Sequence, residues 1–147
     1  MAAAARKLFV NVPVQDLDRS VRFFTELGFS FDARFTDENA TCMIVGEDAY
    51  VMLLVEPFFQ SFTKKELADA TTHTEAILAL SAESREEVDT LADKALTVGA
   101  SPANEPIAMD FMYGRSFHDP DGHLWEVFWM DPVALEQPRA VEAAVEQ

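Results

Sequence analysis

Apolar side chains fill Leu8–Val14 except at Asn11 and Pro13, which predicts a strand. Pro13 has no amide to donate, so the strand lies at an edge or ends there. Asp16 or Asp18 is placed to cap a helix running to about Leu27, with Val21, Phe24 and Leu27 as its apolar stripe. Gly28 supplies the left-handed residue that ends it. Three strands are then predicted, Phe29–Phe35, Thr41–Val45 and Tyr50–Val55. The polar turns Asp37-Glu38-Asn39 and Gly46-Glu47-Asp48 separate them. Glu56–Thr74 breaks the pattern with Pro57, the Phe58-Phe59 pair and a polar stretch, and reads as a linker with a short helix. Glu75–Ala82 is the next strand. Ser84-Arg85-Glu86-Glu87 forms a capping box, with Glu87 placed to reach back to the Ser84 amide. Its helix carries Val88, Leu91 and Leu96 and stops at Gly99. Strands follow near Pro106–Ala108, Phe111–Phe117 and His123–Met130, and the Ala/Glu-rich tail Asp131–Gln147 reads as a solvated terminus.

The order strand, helix, three strands thus occurs twice, with the linker between. Asp48–Leu54 lies over Asp121–Val127, and Phe9–Val14 over Ile77–Ala82. The expected division is a βαβββ module over 6–56, a linker over 57–74, a second βαβββ module over 75–131 and a tail over 132–147, in one structural domain. This order excludes a doubly wound parallel sheet, where single strands alternate with helices.

Two motifs add a resemblance. Val14-Gln15-Asp16-Leu17-Asp18-Arg19-Ser20-Val21-Arg22-Phe23-Phe24 is followed by Leu27-Gly28-Phe29. Near the end stands Phe117-His118-Asp119-Pro120-Asp121-Gly122-His123-Leu124-Trp125-Glu126-Val127. Over residues 6 to 132 the chain resembles the vicinal oxygen chelate superfamily, the glyoxalase, bleomycin-resistance and extradiol dioxygenase group. That resemblance implies an α+β fold of two βαβββ modules curled around a shared cleft. It implies no single reaction, because the fold hosts isomerases, dioxygenases, transferases and drug binders. In metal-using members, four strand positions supply His, Glu or Gln ligands. The resemblance places Phe9, Leu53, Ile77 and Glu126 there. Three of the four are hydrocarbon, and one carboxylate does not hold zinc, iron, manganese or nickel. No metal and no cofactor is therefore expected.

On the last strand Leu124, Glu126 and Phe128 share one face, and Trp125, Val127 and Trp129 the other. A turn at Pro120-Asp121-Gly122 sets Ser116 opposite Glu126, whereas a slip of one residue brings Arg115 there. Met112, Gly114, Ser116 and His118 complete that face. The candidate ligand-binding residues are Phe9, Leu53, Ile77, Met112, Ser116, Glu126 and Phe128. Glu126 is the one candidate catalytic residue, an acid or base. The competing reading makes Glu126 a relic carboxylate satisfied by Ser116, Arg115 or water. His118 and His123 flank the turn as a surface pair, and His73 lies in the linker.

Composition narrows the partners. The 147 residues are 49% hydrophobic, enough for a real core. Acidic residues number 26 against 11 Lys and Arg, for a formal charge of −15. Such a chain is a poor binder of nucleic acid or anionic membranes, and no apolar run is long enough to span a bilayer. Met1–Lys7 does not read as a secretory signal. Cys42 is the only cysteine, so no intrachain disulfide forms. The expectation is a cytoplasmic homodimer that binds a small organic ligand, cationic or aromatic. The alternatives are a metal-dependent lyase, isomerase or dioxygenase with a displaced ligand set, a metal-free enzyme using Glu126, and a ligand-free structural dimer.

Overall fold

A computed structural model describes residues 5–135. β1 (Leu8–Val14), α1 (Leu17–Glu26), β2 (Ser30–Asp32), β3 (Ala40–Gly46) and β4 (Ala49–Val55) build the first sheet and its helix. The strand order is β1-β4-β3-β2, with β1 parallel to β4 and the other pairs antiparallel. A short α2 (Glu56–Gln60) and an irregular linker lead to β5 (Ile77–Ser81) and α3 (Arg85–Thr97). After them come β6 (Ser101–Pro102), β7 (Ile107–Met109), β8 (Met112–His118) and β9 (Leu124–Met130). The second sheet runs β5-β9-β8-β6, β7 also pairs with β8, and β5 is parallel to β9. α4 (Pro132–Leu135) ends the described chain, so most of the expected tail lies outside the described residues. The architecture is mixed α+β, and four strands rather than the expected three follow α3, because Ser101–Pro102 and Ile107–Met109 each pair with β8.

Local chemistry explains the boundaries. Asp16 is the cap of α1 and accepts from the Arg19 amide at 3.1 Å. Gly28 takes φ +99°, where a side chain would be strained. The strand expected over Phe29–Phe35 stops at Asp32. The Asp32 carboxylate accepts from the Arg34 amide at 3.0 Å and from its guanidinium at 2.7 Å, which folds Ala33–Phe35 into a 3₁₀ turn. Ser84 caps α3 by accepting from the Glu87 amide at 3.1 Å. The returning Glu87 carboxylate takes the Glu83 amide at 2.8 Å rather than that of Ser84.

One core joins the two halves. Val12 and Val14 of β1 and Val51 and Leu53 of β4 pack with Phe23 and Phe24 of α1. The same phenylalanines reach the second sheet. The Phe23 ring lies 6.2 Å from that of Phe117, and Phe24 lies 5.1 Å from Trp125. Val88 and Ala92 of α3 pack on Val127. Both helices therefore cover the same side of the two sheets. The opposite, open sides carry the alternate residues of each strand.

Candidate functional site

The open side of the second sheet carries Glu126. Its register is the one the turn predicts. Ser116 stands opposite Glu126, Gly114 opposite Phe128 and Met112 opposite Met130. On the β5 side Ala79 pairs with Glu126 and Ile77 with Leu124. Glu126, Ser116, Met112 and Phe128 are all half-buried. Neither expected partner takes up the Glu126 carboxylate. Ser116 Oγ accepts from the Asn104 amide at 2.9 Å. Arg115 points to the helix side, where it meets Asp93 at 2.7 Å and Asp89 at 3.0 Å. Hydrogen bonding of Tyr113 to Asp89, ahead of the Arg115 charge, holds that carboxyl below its usual range. His118 shares the face of Glu126 on the neighbouring strand, two pairs further along.

The remaining candidates do not all converge. Phe9 lies on the open side of the first sheet, stacked on Tyr50 with ring centroids 4.7 Å apart. Ile77 is exposed at the start of β5. Leu53 is not on that side. It pairs with Val12 and is fully buried against α1, because it is an odd number of residues from Tyr50 along β4. It is a core residue and cannot wall the same cleft as Phe9.

The turn motif is densely hydrogen-bonded. Asp119 is buried, and its carboxylate accepts from the amides of Asp121 (2.9 Å) and His123 (3.0 Å) and from the Trp125 indole (2.9 Å). Burial pushes its carboxyl up, against the pull of these donors. Asp121 crosses to the other module. It accepts from the Gln15 amide (2.8 Å), the Arg19 guanidinium (2.9 Å) and the Ser20 hydroxyl (3.3 Å). His123 Nε2 lies 2.7 Å from the Pro13 carbonyl. Gly122 takes φ +95°, and a Cβ there would stand 2.7 Å from the Ala70 carbonyl oxygen. Glu126 and His118 therefore sit on a hairpin that is pinned to α1, β1 and the linker. The expected surface pair of His118 and His123 does not form. The structure sends His123 to Pro13, a contact between residues 110 apart for which the sequence carries no local signal.

A cavity of about 440 Å³ opens elsewhere, between β1, the linker and the start of β9. Glu126 is not among the residues around it.

Similarity to known proteins agrees with this arrangement. Residues 6–46 match the family described as bleomycin resistance protein-like N-terminal. A hypothetical protein from S. aureus is 28% identical over 86% of this chain and 95% of its own, with a TM-score of 0.73. A glyoxalase/bleomycin resistance protein/dioxygenase family enzyme from Burkholderia phytofirmans PsJN is 15% identical, over 86% of this chain and 99% of its own, with a TM-score of 0.71. The chain carries the glyoxalase/bleomycin-resistance fold. The fosfomycin resistance protein FosX from Mesorhizobium loti shares that fold at 15% identity and a TM-score of 0.63, over 93% of this chain and all of its own. No sequence match was found among curated proteins.

Metal-using members of the glyoxalase/bleomycin-resistance group need several nitrogen or oxygen donors facing one cleft. The open sides here offer Phe9, Asn11, Tyr50 and Met52 from the first module, and Ile77, Ala79, Ser116, His118 and Glu126 from the second. Glu126 is the one carboxylate among them, whichever copy of the chain supplies each half. Among the described residues no three His, Cys, Asp or Glu side chains converge on a point that could hold an ion. The residues present do not fit the metal of the fold family. Among the same residues no helix is long and apolar enough to cross a membrane.

Proposed function

We propose that this chain is a small-molecule binding protein of the glyoxalase/bleomycin-resistance type that works without the family's metal chemistry. Its ligand rests on the open side of the second sheet, where Glu126 meets the polar or cationic part and Ile77, Met112, Ser116 and Phe128 contact the rest. One observation carries the reading. A half-buried carboxylate stands on the open side of the sheet, Arg115 turns away from it to Asp89 and Asp93, and Ser116 Oγ accepts from the Asn104 amide. Such a group favours a ligand that brings a donor or a positive charge. The chain's charge of −15 works in the same direction. Phe9 is 43% and Ile77 57% exposed on the open sides, and pairing of two copies in a cytoplasmic homodimer would cover them. The same geometry supports a second reading, metal-free acid–base catalysis, because His118 and Glu126 face one side of paired strands.

Calorimetric titration with metal-free bleomycin and a panel of basic aromatic compounds tests the proposal. At least one compound binds saturably to the native protein, and Glu126→Gln abolishes that binding. If no compound of the panel loses binding on Glu126→Gln, the role given to Glu126 is refuted. Mass spectrometry after incubation with nickel, zinc, manganese and iron tests the other half. An ion retained at one per chain overturns the metal-free reading.

A further inference from the structure

β1 pairs only with β4, and β5 only with β9. Two strand edges therefore face each other unpaired, and the linker passes over the space between them. The 440 Å³ cavity lies in that space, a size that suits a small organic molecule. Its walls are largely apolar, with Val10, Pro13, Phe59, Leu67, Leu78 and Leu124 prominent. A second hollow of about 270 Å³ adjoins it and shares Pro13, Leu67, Ala68, Ala70 and His123 with it. That hollow adds three carboxylates, Glu56, Asp69 and Asp121. The two hollows form one groove, with an apolar compartment and an acidic one.

We propose that this groove is a second binding site, separate from the Glu126 face, for a small molecule with an apolar body and a cationic amino group. The apolar compartment takes the body. In the acidic compartment Asp121 is held by Arg19 and Gln15, and Asp69 by Thr71. Glu56 is left to face an incoming charge. His123 stands at the junction of the two compartments. The Pro13 carbonyl can only accept, so the His123 Nε2 at 2.7 Å donates to it, which fixes the ring at the junction. An ammonium brings a charge and donors to Glu56, whereas an anion meets carboxylates. Lys65 is the one lysine or arginine on the apolar compartment, and Glu66 and Glu75 line the same compartment.

Fluorescence titration with 9-aminoacridine, cationic at neutral pH, tests the site. The anionic 8-anilinonaphthalene-1-sulfonate serves as its counterpart. The expected result is saturable binding of 9-aminoacridine in preference to the anion. Ala68→Phe and Ala76→Phe, both at exposed linker positions lining the groove, weaken it at least tenfold. Glu56→Gln weakens it about two- to fivefold, the scale of one solvent-exposed charge pair, and added salt does the same. Glu126→Gln separates the two sites, since it acts on the open face and not on this groove. The proposal is overturned by absence of saturable binding, by preference for the anion, or by full binding in both phenylalanine variants. Loss of binding in Glu126→Gln with retention in Ala68→Phe also overturns it, and assigns the probe to the open face.

Discussion

Replacing Asp121 with alanine is expected to destabilise the protein by about 3 kcal/mol. The carboxylate is 5% exposed and holds three groups of the other module. Its loss leaves the Gln15 amide without its acceptor and the buried Ser20 hydroxyl without a partner. A buried donor stripped of its partner costs about 1–3 kcal/mol. The Arg19 contribution is smaller, because its side chain is 36% exposed and regains water. Asp121→Asn keeps one acceptor oxygen and should cost about half as much. Urea unfolding followed by tryptophan fluorescence reads both. With a slope of about 2 kcal/mol per molar, typical of small proteins, the alanine variant's midpoint falls by about 1.5 M. An Asp121→Ala midpoint within about 0.25 M of the native value, at unchanged slope, would falsify the claim that this carboxylate joins the two halves.

Two further expectations concern the same turn. Gly122→Ala combines a left-handed backbone with a Cβ 2.7 Å from the Ala70 carbonyl. It should lower the melting temperature by about 6–10 °C, since about 2–3 kcal/mol corresponds to that shift in a chain of this size; an unchanged melting curve contradicts the close approach. Asp119 has its carboxyl raised by burial, so the native state holds a proton where the unfolded chain has released it. Its contribution is therefore present below the ordinary aspartate value and is lost as pH rises through the raised one. Asp119→Asn cannot titrate, and the gap between native and variant stability should narrow as pH rises across that window. A gap that stays constant from pH 4 to 7 refutes the assignment.

The repeated order of elements was legible because each helix carries its own punctuation. Asp16 with Gly28, and Ser84 with Gly99, mark helix ends through local backbone chemistry that needs no tertiary information. The hairpin register was legible for the same reason, because the turn at Gly122 fixes it and thereby sets Ser116 against Glu126. Leu53 was misplaced because matching the two halves by sequence aligned it with Glu126. An offset of one residue puts a strand position on the opposite face, and the parallel pairing with Val12 fixes which face it is. The cavity under the linker was not legible at all. Its walls come from three separate stretches, within 10–13, 59–78 and 122–124, and no periodicity along the chain encodes the gap between two strand edges.

The Asp121 contacts span 101 to 106 residues of chain. A bond over that distance forms only after the chain has closed a loop of nearly its whole described length, so it rewards folding late and unfolds with everything else. The two halves should then behave as one cooperative unit despite their repeated architecture. A protease that cuts the exposed linker between Ser61 and Thr72 would leave two pieces held to each other by this joint and the α1 phenylalanines. Fragments ending and beginning in that segment, expressed apart, should be unfolded alone and should recover the native fold on mixing.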